Sequence, residues 1–225
     1  MNPRLLFVTD SLGMPREGVK YENTFFNKID EEFPEVTLID KSKRGRTTED
    51  LRGLDQFERY DPDIVVTVLG IVDCAPRTFY KLEKEILSRT PDLFSKPYVS
   101  IFKSFRKSRP ERCYVKPHVF ERNLRHYYKR ANKRDVPVIS VKILPASNNF
   151  VHKSPDILEQ ISRYNSVYDQ AAAQFGNVQL LAPFDSVEDI EKFFLDVEHP
   201  NKLGHFLIYQ GLKPKLSNLV SRLNE

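Results

Sequence analysis

The stretch that decides the fold is Asp63-Ile64-Val65-Val66-Thr67-Val68-Leu69, which Gly70 follows. After its first residue it carries no charge, and β-branched side chains dominate it. A continuous apolar run of this length, ended by a glycine, is typical of a strand that is buried on both faces of a parallel sheet. We therefore predict a central β-strand here, covered by helices on both sides.

Shorter apolar runs alternate with segments of helical periodicity along the rest of the chain. The predicted strands are residues 5–8, 36–39, 63–69, 137–144 and 178–182. The predicted helices are residues 22–33, 48–57, 78–87, 119–133, 154–176, 186–194 and 201–212, the last continuing past Pro214 after a break. This alternation predicts an α/β fold: a flavodoxin-like, doubly wound sheet of five parallel strands with helices on both faces.

The length of 225 residues fits one sizeable domain, and we predict a single domain over residues 1–225. Two cysteines, Cys74 and Cys113, are too few for a disulfide framework and favour a reducing compartment. The apolar run at residues 5–8 is too short for a signal peptide, and no stretch approaches the roughly 20 apolar residues that span a bilayer. We expect a cytoplasmic protein without a membrane span.

The net charge of +4, from 35 basic and 31 acidic residues, is mild. Basic residues concentrate between 103 and 134, where a solvated helix face is the ordinary interpretation, and nucleic-acid binding is not expected. Residues 91–117 mix prolines, bases and aromatics without periodicity, so we predict an insertion or lid. Its side chains suit a glycan or nucleotide sugar, and equally an ordinary packed lid.

Candidate catalytic residues lie near both ends of the chain. Ser11 follows the first predicted strand, where a serine commonly caps a helix. Asp196 precedes His199 by three residues; such a pair can orient the imidazole as a base, but it also occurs as a loop hydrogen bond or a metal pair. Both loops are expected at the carboxyl edge of the sheet. No further set has zinc spacing, so we predict no metal and no cofactor.

Together these segments resemble the SGNH (GDSL-type) hydrolase superfamily. The resemblance runs from residue 5 to about 212, in the family's order of blocks: Phe7-Val8-Thr9-Asp10-Ser11-Leu12, Arg44-Gly45-Arg46-Thr47-Thr48, Gly70-Ile71-Val72-Asp73 and Asp196-Val197-Glu198-His199. Residues 70–77 also look like members encoded with bacterial surface-polysaccharide genes. The resemblance implies an SGNH hydrolase fold and an ester-cleaving serine site.

The resemblance also implies a role for each matched residue. Ser11 would be the nucleophile, and His199 the general base and then the general acid, oriented by Asp196. The backbone N–H groups of Ser11 and Gly45 would bind the oxyanion. We assign Gly70, Asp73 and Arg77 to the same oxyanion and substrate-binding set.

Two positions depart from the family's pattern. Thr9 replaces a glycine that does no chemistry. Val72 replaces an asparagine whose side chain donates to the oxyanion, and the loss of one such donor costs about 10²–10³ in rate. Either two backbone donors suffice, or another group substitutes. The candidates are Arg77, which we favour and which could equally form a structural salt bridge, Asn148 and Asn149. Cys74 is a poor candidate for the nucleophile, because it would leave Ser11 unexplained.

The sequence therefore predicts an acyl esterase, in the first place an O-acetyl esterase that acts on a carbohydrate or polysaccharide precursor. An O-acyltransferase to a sugar hydroxyl would use the same triad. A glycan-binding protein that has lost its oxyanion side chain is a further alternative, but the presence of Ser11, Gly45, Asp196 and His199 together argues against it. The sequence predicts neither the acyl group nor the oligomeric state.

Overall fold

A five-stranded parallel sheet forms the centre of the computed structural model, which describes residues 2–53, 56–77, 79, 83, 86, 89 and 112–224. The strands are β1 (Arg4–Thr9), β2 (Thr37–Asp40), β3 (Ile64–Val68), β4 (Val138–Val141) and β5 (Val178–Leu181), in the spatial order β2-β1-β3-β4-β5. The order turns back between β1 and β3, which is where doubly wound sheets open a crevice at their carboxyl edge. The predicted α/β fold is confirmed.

Helices connect these strands. The described α-helices are α1 (Phe25–Glu32), α2 (Asp50–Gly53), α3 (Gln56–Tyr60), α4 (Ile71–Cys74), α5 (Pro117–Asn132), α6 (Asn148–Lys153), α7 (Ile157–Ala172) and α8 (Lys202–Leu223). Short 3₁₀ turns occupy Ser11–Gly13, Tyr21–Asn23 and Ile190–Phe193. Most of the predicted helix at 78–87 and most of the predicted lid at 91–117 lie outside the described residues.

The two faces of the sheet carry different helices. Phe7 of β1 packs against Phe25 of α1 with ring centroids 6.1 Å apart, and α1 packs against α8. Side chains alternate between the two faces along a strand. On β3, Thr67 comes one residue after the register partner of Phe7, so its side chain points to the opposite face of the sheet. There Thr67 Oγ1 lies 2.8 Å from Ser140 Oγ, which also accepts the hydroxyl of Tyr128 on α5. Helix α5 packs in turn on α7.

The prediction of a helix break at Pro214 is wrong. Helix α8 runs without interruption from Lys202 to Leu223 with Pro214 inside it. A proline removes one hydrogen bond and usually kinks a helix. Here Leu212, Leu216 and Leu219 are buried on both sides of the proline. Their packing against the rest of the molecule holds the helix together.

Several other boundaries differ from the prediction. The segment 186–194 contains only the 3₁₀ turn Ile190–Phe193, and α7 begins at Ile157 behind Asp156 rather than at the Ser154-Pro155 pair. Helix α6 was not predicted, although Ser147 caps it by accepting the N–H of Phe150. Within the described ranges, no helix is both long enough and apolar enough to cross a bilayer.

Candidate active site

Ser11 lies directly after β1, at the carboxyl edge of the sheet. It opens the 3₁₀ turn Ser11–Gly13, which Asp10 caps because its Oδ1 accepts the N–H of Leu12 at 2.8 Å. Gly13 packs too closely for a side chain, since a Cβ there would lie 2.4 Å from Thr9 Oγ1. The turn therefore fixes the backbone that presents the Ser11 hydroxyl.

Asp196 and His199 share a closed loop between β5 and α8. The Leu195 N–H donates to the His199 carbonyl at 2.8 Å, and Asp196 Oδ1 accepts the backbone N–H groups of Glu198 and His199 at 3.0 and 2.9 Å. The His199 Nδ1 lies 2.9 Å from both oxygens of Asp196. Partial burial opposes ionisation of Asp196, but these hydrogen bonds outweigh it and lower the pKa of the carboxyl. The carboxylate is thus ionised at neutral pH and engages Nδ1, leaving Nε2 for another group.

The two loops meet although 188 positions separate them. Ser11 Oγ lies 3.1 Å from His199 Nε2. The parallel sheet explains this contact, because β1 and β5 deliver their following loops to one edge. A hydroxyl, an imidazole and a carboxylate in one hydrogen-bonded series can move a proton from the hydroxyl to the ring while the carboxylate stabilises the charge that develops.

Arg16 also belongs to this site, although the sequence did not predict it. Its Nη1 lies 3.3 Å from Asp196 Oδ2, and its Nη2 donates to the Ser11 carbonyl at 3.4 Å. Burial lowers the pKa of Arg16, and the charge of Asp196 opposes that shift; the guanidinium remains a cation. A base five positions after Ser11 was visible in the sequence, but nothing in it indicated a partner 180 positions away.

Gly45 lies in the loop after β2 with a φ of 69°, a left-handed conformation that favours glycine. Apart from its two chain neighbours, no described residue has a heavy atom within 4 Å of a Cβ built there, so the space beside its backbone is open to that extent. The loop is joined to β1, because the Lys43 N–H donates to the Thr9 carbonyl at 3.1 Å. Among the described residues, neither the Gly45 N–H nor the Ser11 N–H has a hydrogen-bond acceptor. Both could donate to a substrate oxygen.

Asp73 is fully buried and links three segments of the site region. Its Oδ1 accepts the backbone N–H and the hydroxyl of Thr48 at 2.9 and 2.6 Å. Its carbonyl accepts the N–H of Val115, at the described end of the predicted lid, at 3.3 Å. Asp73 therefore ties the loop after β2 to α4. These contacts are structural ones.

Gly70 caps α4 with a φ of 116°, and a Cβ there would lie 2.6 Å from Ile143 Cγ1. Gly70→Ala is therefore expected to lower the free energy of unfolding by about 2–4 kcal/mol, because it adds backbone strain and overpacking together. Urea unfolding monitored by circular dichroism measures the change. Gly176→Ala is the matched control, since a Cβ at 176 meets no atom within 4 Å. An equal loss of stability in both variants would contradict this view of Gly70.

The proposed substitutes for the missing asparagine lie in different surroundings. Val72 is buried in α4, and its carbonyl accepts Nη2 of Arg77 at 3.3 Å. The Arg77 guanidinium also stacks on the ring of Tyr114, 4.9 Å from its centroid. Asn148 and Asn149 are exposed in the first turn of α6. Within the described part of the chain, Arg77, Asn148 and Asn149 form no hydrogen bond with Ser11.

Two other ionisable side chains, those of Cys74 and His205, are buried and make no hydrogen bond with the triad among the described residues. Burial raises the pKa of the Cys74 thiol well above its ordinary value, so it is neutral and a poor nucleophile. Burial lowers the pKa of His205 to about 4, and its Nδ1 accepts the N–H of Phe25 at 3.4 Å. His205 is thus a neutral packing residue. The described ranges hold no cluster of three or more histidine, cysteine or acidic residues that could bind a metal ion.

Asp10 is a fully buried carboxyl group beside the serine. Burial raises its pKa to about 8; the hydrogen bond from Leu12 opposes the shift, and the charges of Glu198 and Asp73 add to it. The folded chain therefore holds a proton that an unfolded aspartate releases near pH 4. The resulting stabilisation is fully present below pH 4 and is lost progressively as the pH rises to about 8, at about 1.4 kcal/mol per pH unit.

Asp10→Asn is expected to flatten this dependence of stability on pH, because the amide does not titrate. The free energy of unfolding, measured in urea at intervals between pH 5 and 8, should fall less steeply in the variant than in the parent. Asp30→Asn, at an exposed position of α1, should keep the parent's slope. A slope in Asp10→Asn equal to that of the parent would show that Asp10 is already ionised.

The sheet and the residues at its carboxyl edge define the class of SGNH-type α/β hydrolases. The chain belongs to the GDSL-like lipase/acylhydrolase family, whose model matches residues 8–207. The predicted membership of the SGNH superfamily is thereby confirmed, and the chain is an ester-hydrolysing enzyme by family. Its resemblance to polysaccharide-cluster members stays a prediction.

Solved structures of similar architecture cover nearly the whole chain. TesA has a TM-score of 0.62 and 17% sequence identity, over 96% of this chain and 99% of its own. The acetylxylan esterase Axe2 from Geobacillus stearothermophilus has a TM-score of 0.60 and 17% identity, over 93% and 92%. The esterase EstA from Pseudoalteromonas sp., inhibited by monoethylphosphonate, has a TM-score of 0.55 and 18% identity, over 95% and 98%. No curated protein matches the chain.

Proposed function

We propose that the chain is a serine-dependent esterase that removes O-acetyl groups from a carbohydrate, with Ser11, His199 and Asp196 as its triad. The observation that carries the proposal is the 3.1 Å separation of Ser11 Oγ and His199 Nε2, together with the 2.9 Å contact of His199 Nδ1 with Asp196. At these distances the ring can accept the hydroxyl proton while Oγ bonds to an acyl carbon.

The reaction then has two balanced halves. Ser11 Oγ attacks the ester carbonyl, and its proton passes to His199 Nε2. The tetrahedral intermediate collapses when His199 returns that proton to the leaving sugar oxygen, which leaves an acetyl group on Ser11. A water molecule gives a proton to His199 and attacks the acetyl carbon, and acetate leaves as Ser11 regains its proton.

For the oxyanion we propose two backbone donors, the N–H groups of Ser11 and Gly45. The open space beside Gly45 supports this, since a substrate oxygen can approach there without meeting a side chain. Val72 contributes no donor. The Arg77 guanidinium stacks on Tyr114 and donates a hydrogen bond to the Val72 carbonyl. We therefore assign Arg77 to substrate binding at the edge of the site rather than to the oxyanion.

The carbohydrate substrate is supported by structural likeness to an enzyme described as an acetylxylan esterase. We further propose that the chain forms one domain with an insertion or lid at about residues 91–117. We also propose that the free thiols of Cys74 and Cys113 reflect a reducing, cytoplasmic setting. At the described end of the 91–117 segment, the Arg77 N–H donates to the Arg112 carbonyl at 2.7 Å.

Release of acetate from O-acetylated xylo-oligosaccharides, compared with turnover of p-nitrophenyl acetate, tests the substrate. The proposal expects a higher kcat/KM for the acetylated sugar. Cleavage of p-nitrophenyl acetate alone would overturn the carbohydrate assignment and leave the esterase standing. An added sugar acceptor that becomes acetylated at the expense of free acetate would establish acyl transfer by the same intermediate. A folded chain that cleaves neither ester and is not labelled at Ser11 by a fluorophosphonate would favour the binding protein.

A further inference from the structure

A small turn that follows the serine packs against the loop that carries Asp196. Arg16 and Val19 exchange two backbone hydrogen bonds, each of 2.9 Å, and Val19 is buried. Gly18, between them, has a φ of 85°. A Cβ on Gly18 would lie 2.9 Å from Leu195 Cδ1, and Leu195 is the residue before Asp196. The turn therefore packs directly against the loop that carries Asp196 and His199.

Arg16 connects the two loops through its side chain. One guanidinium nitrogen contacts the Asp196 carboxylate and the other the Ser11 carbonyl. The Arg16 side chain is only 18% exposed, whereas that of Asp196 is 43% exposed. An aspartate side chain this exposed can rotate, and water and salt ions screen its charge. The partly buried arginine restricts that freedom, because its planar fork has two fixed partners.

We propose that Arg16 is a positioning residue of this site: it anchors Asp196 to the nucleophile's turn, so that the carboxylate keeps its contact with His199. The proposal rests on the esterase function proposed above. His199 and Arg16 both contact Asp196 Oδ2, at 2.9 and 3.3 Å. The same carboxylate oxygen thus lies between the guanidinium and the imidazole, and the fork of Arg16 holds it against the ring.

The test is the kcat and KM for p-nitrophenyl acetate, with the rate of fluorophosphonate labelling of Ser11 as a second measurement. In Arg16→Gln and Arg16→Met, kcat and the labelling rate should both fall about tenfold, because Asp196 loses its anchor. KM should change little, because Arg16 contacts Asp196 and the Ser11 carbonyl rather than the space beside the Ser11 hydroxyl. Arg16→Lys keeps the charge but not the fork, so its kcat should lie between that of the parent and that of the neutral variants.

Arg4→Gln is the matched control, because Arg4 also joins a carboxylate, Asp61 at 3.7 Å, to a carbonyl, that of Tyr60 at 3.3 Å. It lies at the opposite end of β1 and should leave kcat, KM and the labelling rate unchanged. A kcat that stays at the parent's value in the two neutral variants, or a loss that appears only as a higher KM, would overturn the proposal. So would a chain that folds with lysine but with neither neutral side chain, since Arg16 would then only hold the fold. A parent enzyme that neither turns over nor labels would instead refute the esterase function.

Discussion

Ser11→Ala is expected to lower kcat for p-nitrophenyl acetate by about 10⁴-fold or more. The hydroxyl is the only atom group that the change removes, and it is the group that lies 3.1 Å from His199 Nε2. Without it no acyl-enzyme forms, and only the backbone donors and substrate binding remain to accelerate attack by water. Steady-state assays of both proteins at pH 8 measure the loss.

Ser166→Ala is the control for this substitution, because Ser166 is exposed on α7 and its hydroxyl bonds only to the Ser162 carbonyl among the described residues. It should keep the parent's kcat. Thermal unfolding should show that both variants fold, since Ser11 Oγ contributes to no core packing. Unchanged turnover in Ser11→Ala would mean that another residue attacks the ester.

Asp196→Asn carries the second large effect, a fall in kcat of about 10³–10⁴-fold. An amide keeps the shape of the side chain but removes the charge that stabilises the imidazolium, and its NH₂ group can hold the ring in the wrong tautomer. The variant should bind substrate with little change in KM, because Asp196 contacts His199 and Arg16 rather than the space beside Ser11. Steady-state kinetics on p-nitrophenyl acetate separates kcat from KM.

Asp189→Asn is a close control, because Asp189 pairs with Lys192 at 3.1 Å and at the same three-residue spacing as Asp196 with His199. It should leave kcat within about twofold, since the loss of an exposed ion pair costs little. If Asp196→Asn retained most of the parent's kcat, the carboxylate would have no part in orienting or stabilising His199.

The periodicity of the sequence was enough to predict the sheet, because buried parallel strands are short, apolar and separated by helices. That prediction in turn placed the loops of Ser11 and His199 at one edge before any contact was known. The prediction of a helix break at Pro214 was wrong, because tertiary packing of the leucines on α8 outweighs the local cost of a proline. The prediction of a helix at 186–194 was also wrong, since only a 3₁₀ turn forms there.

Contacts between distant side chains lay beyond what the sequence could predict. The position of Arg16 against Asp196 depends on how two loops pack, through Gly18 and Leu195, and no local pattern encodes that approach. The contacts of Asp73 with Thr48 were likewise not predicted. The assignment of Asp73 to the substrate-binding set stays a prediction.

The central claim is that Ser11 is a nucleophile activated by His199, and covalent trapping tests it most directly. The folded protein is treated with a fluorophosphonate, and intact mass spectrometry is followed by peptide mapping. The account predicts one phosphonate per chain, attached to Ser11, with no adduct on Ser11→Ala and much slower labelling of His199→Gln. A folded protein that stays unmodified, or an adduct on a residue other than Ser11, would contradict it.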